Sequence, residues 1–174
     1  MTIHKITIED ATGLLTYFQT LVAVDTKRVE RPEDVAKITL ENEKAWISSR
    51  IDDEAQKEMF VLCLKDEQGN IVAEGEVERK KRWIERHIAE IRFGVLPGYE
   101  SKAKSMVEQL LNTAQQNGLE TLFYFHLKTQ TQGINIMKAL GFKEIGTIEK
   151  YYKLNDKKYI DRVYLSKNIQ KDAT

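Results

Sequence analysis

A mixed α/β sheet with helices on both faces is the fold this sequence predicts. Three observations lead to it. Apolar residues alternate in short runs and recur at helical spacing in longer ones, in the order β-α-α-β-β-β-α-β-α-β-β. A helical crossover joins the strands expected at 88–96 and 122–127, which makes that pair parallel. Between them, Val95-Leu96-Pro97-Gly98-Tyr99-Glu100-Ser101 carries an apolar strand through a short turn straight into an amphipathic helix.

The elements follow in order. Residues 3–8 alternate as a strand, and Glu9 and Asp10 then precede a helix with Leu14, Leu15, Phe18, Leu21 and Val22 on one face. The polar stretch 25–32 is a connection. A second helix covers 39–51, with Trp46 and Ile47 inward. Strands at 59–64 and 71–77 flank the hairpin turn Asp66-Glu67-Gln68-Gly69-Asn70. The basic run Arg79-Lys80-Lys81-Arg82 reads as a solvated hairpin end. After the strand at 88–96, the third helix carries Ala103, Met106, Val107, Leu110, Leu111 and Ala114 on its apolar face and stops at Asn117-Gly118. A strand at 122–127, a short helix at 132–140 closed by Gly141, and strands at 142–152 and 159–166 complete the chain. One domain is expected over 1–167, with a polar tail at 168–174.

The 174 residues suffice for a single domain with a substantial core. Lys plus Arg and Asp plus Glu both number 27, so no global charge favours nucleic acid or an acidic membrane. Neither partner is expected. The lone Cys63 sits in an apolar run and reads as a small core residue. With no signal core and no stretch of membrane-spanning length, the expected location is the cytoplasm. His4, His87 and His126 are scattered without ligand spacing, so no metal is expected.

The loop at 97–100 has a chemical meaning of its own. The first N–H groups of a helix lack intrahelical partners, and the helix dipole turns its positive end toward the loop. Lys102 and Lys104 add positive charge there. A pyrophosphate would be held at such a place. An ordinary strand-to-helix turn with two solvated lysines has the same local sequence.

Several motifs in the same order resemble the GNAT superfamily of acyl-CoA-dependent N-acyltransferases. Val95-Leu96-Pro97 with its loop and helix resembles that family's acetyl-CoA motif. Leu140-Gly141-Phe142, followed by Lys143-Glu144-Ile145-Gly146, resembles the end of its second motif, and the segment from Tyr151 to Asp161 resembles its final hairpin. The resemblance implies a GNAT fold: a mostly antiparallel sheet whose central parallel pair splays at the cofactor site. It also implies acetyl-CoA as co-substrate. The chain departs from the family in places. Glu100, Ala103 and Ser105 stand in the loop where the family has Gln or Arg and glycines. Gln130 stands for an Asn, Gly133 for an Ala, and Met137 for the Tyr that commonly protonates the leaving thiolate. Met has no proton to donate.

Transfer to an amine needs proton removal from an ammonium of pKa about 10, a donor to the carbonyl oxygen, and departure of a thiolate of pKa about 8.5. By resemblance Glu90, in Ile88-Ala89-Glu90-Ile91-Arg92-Phe93, is the candidate base. Alternation puts Glu90, Arg92 and Gly94 on one strand face. The plainer alternative is a solvated glutamate paired with Arg92 or a lysine. His126 and His87 are competing bases or plain structural histidines, and Tyr99, Tyr124, Tyr151 and Tyr152 are possible acids or ordinary packing aromatics. The resemblance also implies that the backbone of Gly94, Val95 and Leu96 binds pantetheine amides. Ser101, Lys102, Ala103, Lys104 and Ser105 would take the pyrophosphate, and Gln130 would stand near the pantetheine arm. The expected activity is acetyl transfer to a primary amine of a small molecule or of a peptide or protein. The alternative is a GNAT-fold module that has lost catalysis and binds a partner. Scattered acids in the early helices (Asp25, Glu30, Glu33, Asp34 and Glu43) fit a cationic acceptor or an ordinary polar surface. A homodimer through the final strands stays open.

Overall fold

The computed structural model describes residues 1–170. The strands are β1 (Thr2–Lys5), β2 (Met59–Lys65), β3 (Ile71–Arg79), β4 (Ile88–Val95), β5 (Thr121–Leu127), β6 (Lys143–Asn155) and β7 (Lys158–Asn168). They form one sheet in the order β1-β2-β3-β4-β5-β7-β6. Every neighbouring pair is antiparallel except β4–β5. The helices are α1 (Ala11–Val24), the single turn α2 (Pro32–Val35), α3 (Leu40–Ala55), α4 (Glu100–Gln116) and α5 (Thr131–Ala139). The expected order of strands and long helices is present, including the parallel pair.

Two apolar clusters sandwich the sheet. On one face Met106, Leu110 and Ala114 of α4 and Met137 of α5 pack against Val77, Ile91 and Leu122. On the other, Leu14, Tyr17 and Leu21 of α1 and Ile47 of α3 pack against Met59, Val61 and Cys63. Strand alternation divides the side chains of β3 and β4 between these layers. Ala73, Gly75 and Val77 belong to the α4 side, while Glu74, Glu76 and Glu78 belong to the α1 side. Residues starting α3 cap it reciprocally: the Asn42 N–H donates to Thr39 Oγ1 at 3.2 Å, and Thr39 N–H donates to Asn42 Oδ1 at 3.0 Å.

Three expectations change. The first strand ends at Lys5 rather than residue 8, because Thr7 turns the chain into a 3-10 turn (Ile8–Asp10). Arg79 is not a solvated hairpin end. Its guanidinium donates to the carbonyls of Lys57, Arg86 and Asn117 and ties the β3 end to the segments around it. The tail expected from 168 begins later: Asn168 belongs to β7, and Ile169 is buried with its N–H on the Glu120 carbonyl at 2.7 Å. The rest of that tail, 171–174, lies outside the described residues.

Asp10 fixes where α1 starts. Its buried carboxylate takes the Lys65 ammonium at 2.6 Å, His4 Nε2 at 3.1 Å and the Thr7 N–H at 2.9 Å. Burial alone would raise its pKa, but Lys65, the Thr7 N–H and His4 outweigh burial and hold it below the ordinary carboxylate value. The ionised carboxylate therefore stabilises the fold above about pH 4, and that stability is lost as pH falls through the depressed pKa. Asp10→Asn is expected to cost about 2–3 kcal/mol at neutral pH. The variant should also lose less stability on acidification than the wild type, which denaturant melts at a series of pH values will read.

Candidate functional site

The candidate site lies where β4 and β5 separate. Their parallel register is only Ile88↔Thr121, Ala89↔Leu122 and Glu90↔Phe123. Beyond that point each strand keeps its other neighbour: β3 follows β4 to Val95, and β7 follows β5 to Leu127. The edges of 91–95 and 124–127 that face each other thus have no ladder between them. A cavity of about 450 Å³ fills the opening, bordered by Gly94, Val95 and Pro97 on one side and by His126, Gln130 and Gly133 on the other. A smaller space of about 100 Å³ lies deeper, against Phe93 and Tyr124. On the α1 side a third cavity, of about 430 Å³, reaches Gly94 from between α1 and α3. Phe93 and Arg28 border all three.

Gly94 is where the two large cavities meet. A Cβ there would stand 2.7 Å from Leu21 Cδ2 and 2.7 Å from the Tyr17 hydroxyl oxygen. Only glycine lets Leu21 and the Tyr17 hydroxyl pack this close to the β4 backbone. Across the cleft Gln130 is buried; its Nε2 donates to Asp25 Oδ2 at 3.1 Å, and its Oε1 has no partner among the described residues. An open backbone edge facing an unsatisfied buried amide oxygen fits an arm that carries amides of its own. Leu96 differs from the expectation for it. Its N–H donates to the Val72 carbonyl at 2.9 Å and its carbonyl accepts from Tyr99 N–H at 3.2 Å, so both groups are engaged.

The loop ahead of α4 forms a cradle that already holds an anion. Gly98 adopts φ of +92°, and its N–H donates to Glu100 Oε2 at 3.0 Å. Gln132 Nε2, from the start of α5, donates to the other Glu100 oxygen at 2.9 Å. Lys102 and Ala103 direct their N–H groups to the Tyr99 carbonyl, at 3.0 and 2.9 Å. Those of Glu100 and Ser101 have no backbone partner among the described residues. Ser101, Lys102 and Ser105 are exposed, Lys104 stands 3.9 Å from Glu108, and the Ala103 side chain is buried in the core. Glu100 does not point away from the cradle.

The register of β3 on β4 assembles a carboxylate face. Glu74 lies opposite Gly94, Glu76 opposite Arg92, and Glu78 opposite Glu90. The Arg92 guanidinium gathers three carboxylates: Glu76 at 2.7 Å, Glu78 at 2.7 Å and Glu90 at 3.2 Å. Glu90 also meets Lys80 at 3.4 Å. Alternation does put Glu90, Arg92 and Gly94 on one face, but Glu90 sits in this ion network and borders none of the three cavities. Glu74 borders the cavity beneath α1. Its Oε1 is sealed with no partner, and burial pushes the carboxyl well above its ordinary pKa, with Glu76 adding to the rise and Arg92 and Arg28 opposing it. Tyr17 brings a buried, unpartnered hydroxyl to the same place. Glu43 of α3 borders the same cavity; it is 8% exposed, and its pKa is raised by burial. Sequence reasoning passed over Glu74 and Tyr17. The one visible signal was an apolar strand whose alternate positions 74, 76 and 78 are all glutamate.

The other candidates are placed as follows. His126 borders the cleft, and burial, helped by Arg28, pushes its pKa down to about 4, so it is neutral and a weak base at pH 7. His87 lies at the start of β4, and its carbonyl receives the N–H groups of Glu120 and Thr121. Tyr124 stacks on Phe93 with ring centroids 5.7 Å apart, and its hydroxyl, unpartnered, lies against Gly133. The Tyr151 hydroxyl accepts from Arg162 at 2.6 Å, and Tyr152 borders the smaller space. Met137 is fully buried. Burial raises the Cys63 thiol well above its ordinary value, so it is unreactive. Among the described residues no three His, Cys, Asp or Glu side chains group so as to hold a metal ion, and no helix is long and apolar enough to cross a membrane.

This arrangement resembles solved structures at low identity. A ribosomal-protein-alanine N-acetyltransferase from Brucella melitensis superposes with TM-score 0.80 and 20% identity, covering 97% of this chain and 99% of its own. A GNAT-family acetyltransferase from Streptococcus pneumoniae gives TM-score 0.82 at 18% identity, covering 96% and 98%. A GNAT-superfamily phosphinothricin acetyltransferase from Sinorhizobium meliloti, solved in complex with acetyl-CoA, gives TM-score 0.79 at 15% identity, covering 99% and 91%. Among curated proteins no sequence matches the chain. Residues 3–164 match the acetyltransferase (GNAT) domain, which spans both the splayed strand pair and the α4 cradle, so the chain belongs to the GNAT acetyltransferase family.

Proposed function

We propose that this protein transfers the acetyl group of acetyl-CoA to a primary amine of a small molecule or of a peptide or protein. The observation that carries the reading is the parted strand pair: an open β4 backbone edge at Gly94 and Val95 faces the partnerless Gln130 Oε1. In this reading the pantetheine arm lies along that edge. The pyrophosphate lies at the start of α4, held by the N–H groups of Glu100 and Ser101 and flanked by the exposed Ser105, with Lys102 and Lys104 supplying charge. Ala103 contributes only by being small. Leu96 shapes the turn rather than donating.

In the reaction the amine nitrogen bonds to the acetyl carbon and the carbon–sulfur bond breaks. An ammonium plus a thioester yields an amide, a thiol and one released proton. The protein must therefore accept a proton near Gly94 and pass one to the sulfur. Glu74, opposite Gly94 and bordering the cavity beneath α1, is the proposed acceptor in place of Glu90, which Arg92 and Lys80 hold and which borders none of the three cavities. Tyr17 and Tyr124 are the buried hydroxyls available as donors, where Met137 cannot serve.

A second reading, a GNAT-fold binding module without transfer, is favoured by one observation. The Glu100 carboxylate sits on the cradle's Gly98 N–H, where a phosphate would sit. Calorimetric titration with acetyl-CoA separates the two. Saturable binding is expected, weakened about tenfold or more in Lys102→Ala/Lys104→Ala. Glu100→Ala should bind about fivefold tighter, because a competing negative charge leaves the helix N-terminus. No binding by either the wild type or Glu100→Ala at millimolar concentration would leave the second reading.

Where binding holds, Glu74→Gln is expected to lower kcat about a hundredfold with acetyl-CoA affinity unchanged. An unchanged kcat would move proton acceptance to another carboxylate of the face.

A further inference from the structure

The cavity beneath α1 and α3 contains more acid than the protein itself uses. Four carboxyl groups border it (Glu30, Glu43, Glu74 and Glu76), along with two guanidinium groups, Arg28 and Arg92. Both cations are engaged. Arg28 Nε meets Glu30 at 3.0 Å, and Arg92 is held by Glu76, Glu78 and Glu90. Glu43 and Glu74 remain, and neither has an ion-pair or hydrogen-bond partner for its side chain among the described residues. Glu43 is more than nine-tenths buried and opens into this cavity. Tyr17, at 4% exposed, leaves its hydroxyl unpartnered beside it.

A buried carboxyl without a partner is unfavourable, and a cavity lined by two of them gains most from a ligand that brings positive charge to each. Apart from Asn42, the remaining walls are mostly apolar, with Leu14, Phe18, Leu21, Ile38 and Trp46. Such walls suit methylene groups, not a peptide backbone, which would bring amides needing partners of their own. The cavity's volume, about 430 Å³, is of small-molecule size. Its floor is set by register: Glu74 stands opposite Gly94, where the cofactor cleft begins.

We propose that this cavity is an acceptor site for a small aliphatic diamine, with the reacting ammonium received at Glu74 beside Gly94 and the second ammonium received at Glu43. The assignment of this cavity to the acceptor rests on the acetyltransferase reading; its preference for a dication does not. The charged groups around Glu74 are Glu76 and Arg92 from the sheet, Arg28 from the connection after α1, and Glu43 from α3. An arriving dication would restore ionisation of both carboxyl groups, so binding should release protons.

The test uses the full chain. Calorimetric titrations with 1,4-diaminobutane, 1-aminobutane and 4-aminobutanoate, each with and without saturating CoA, would be run in two buffers of different ionisation enthalpy. The diamine is expected to bind about tenfold or more tighter than the monoamine, with proton release that differs between the buffers. Glu43→Gln and Glu74→Gln should each remove most of that preference, while Glu67→Gln, in the exposed turn after β2, should keep it. Thermal melts would confirm that each variant is folded, and the ligand comparison on the wild type needs no variant. Equal affinity for mono- and diamine, or a preference that survives both substitutions, overturns the proposal. If acetyl-CoA binds in that case, the acetyltransferase reading stands without it. Diamine preference in a protein that binds no acetyl-CoA keeps the cavity's specificity and removes the transfer reaction.

Discussion

The short parallel contact between β4 and β5 is the constraint on which the site depends. Three register pairs join the strands at one end, and nothing joins them beyond Glu90↔Phe123. The separation is stable because each strand is satisfied elsewhere. The β3 ladder runs along β4 to Val95, and the β7 ladder runs along β5 to Leu127. A buried edge without partners would ordinarily be costly. Here the open edges face cavities, and Phe93 stacked on Tyr124 fills the apex where the strands begin to part. The α4 dipole then points at the wide end of the same opening. Gly94 completes the arrangement from the other layer, since any side chain there would strike Leu21 and the Tyr17 hydroxyl.

Much of this was legible in the sequence, for an identifiable reason. The elements are strongly periodic, and the crossover helix from Glu100 requires a parallel pair. The strand, loop and helix that build the cradle are contiguous, so local sequence contains them. Alternation alone put Glu90, Arg92 and Gly94 on one face. The cavity beneath α1 and α3 was not legible, because its lining comes together only through non-local register and helix docking. Glu74 acquires meaning by lying opposite Gly94, and Tyr17 and Glu43 arrive from two helices whose docking no local pattern specifies. The same limit applies to Arg79, which sits in a basic run yet serves three carbonyls from separate segments. Glu100 is a mixed case. Its charge in the loop was plain, but its partner Gln132 comes from α5, 32 residues along the chain.

Charge is sorted by this geometry. The chain as a whole is balanced, with 27 basic and 27 acidic residues. Yet the start of α4 offers Lys102 and Lys104, while the α1 side of β3 offers glutamate at three alternate positions, 74, 76 and 78. Arg92 neutralises part of that acidic face and draws Glu90 into its network. What stays unneutralised, Glu74 and Glu43, lies on the far side of Gly94 from the cradle. A polyanionic cofactor and a cationic acceptor would therefore approach from opposite directions, each drawn to a region that disfavours the other. They would meet at Gly94, which borders both cavities. A global charge count hides this separation, which arises only when alternation and register assign each charge to a layer.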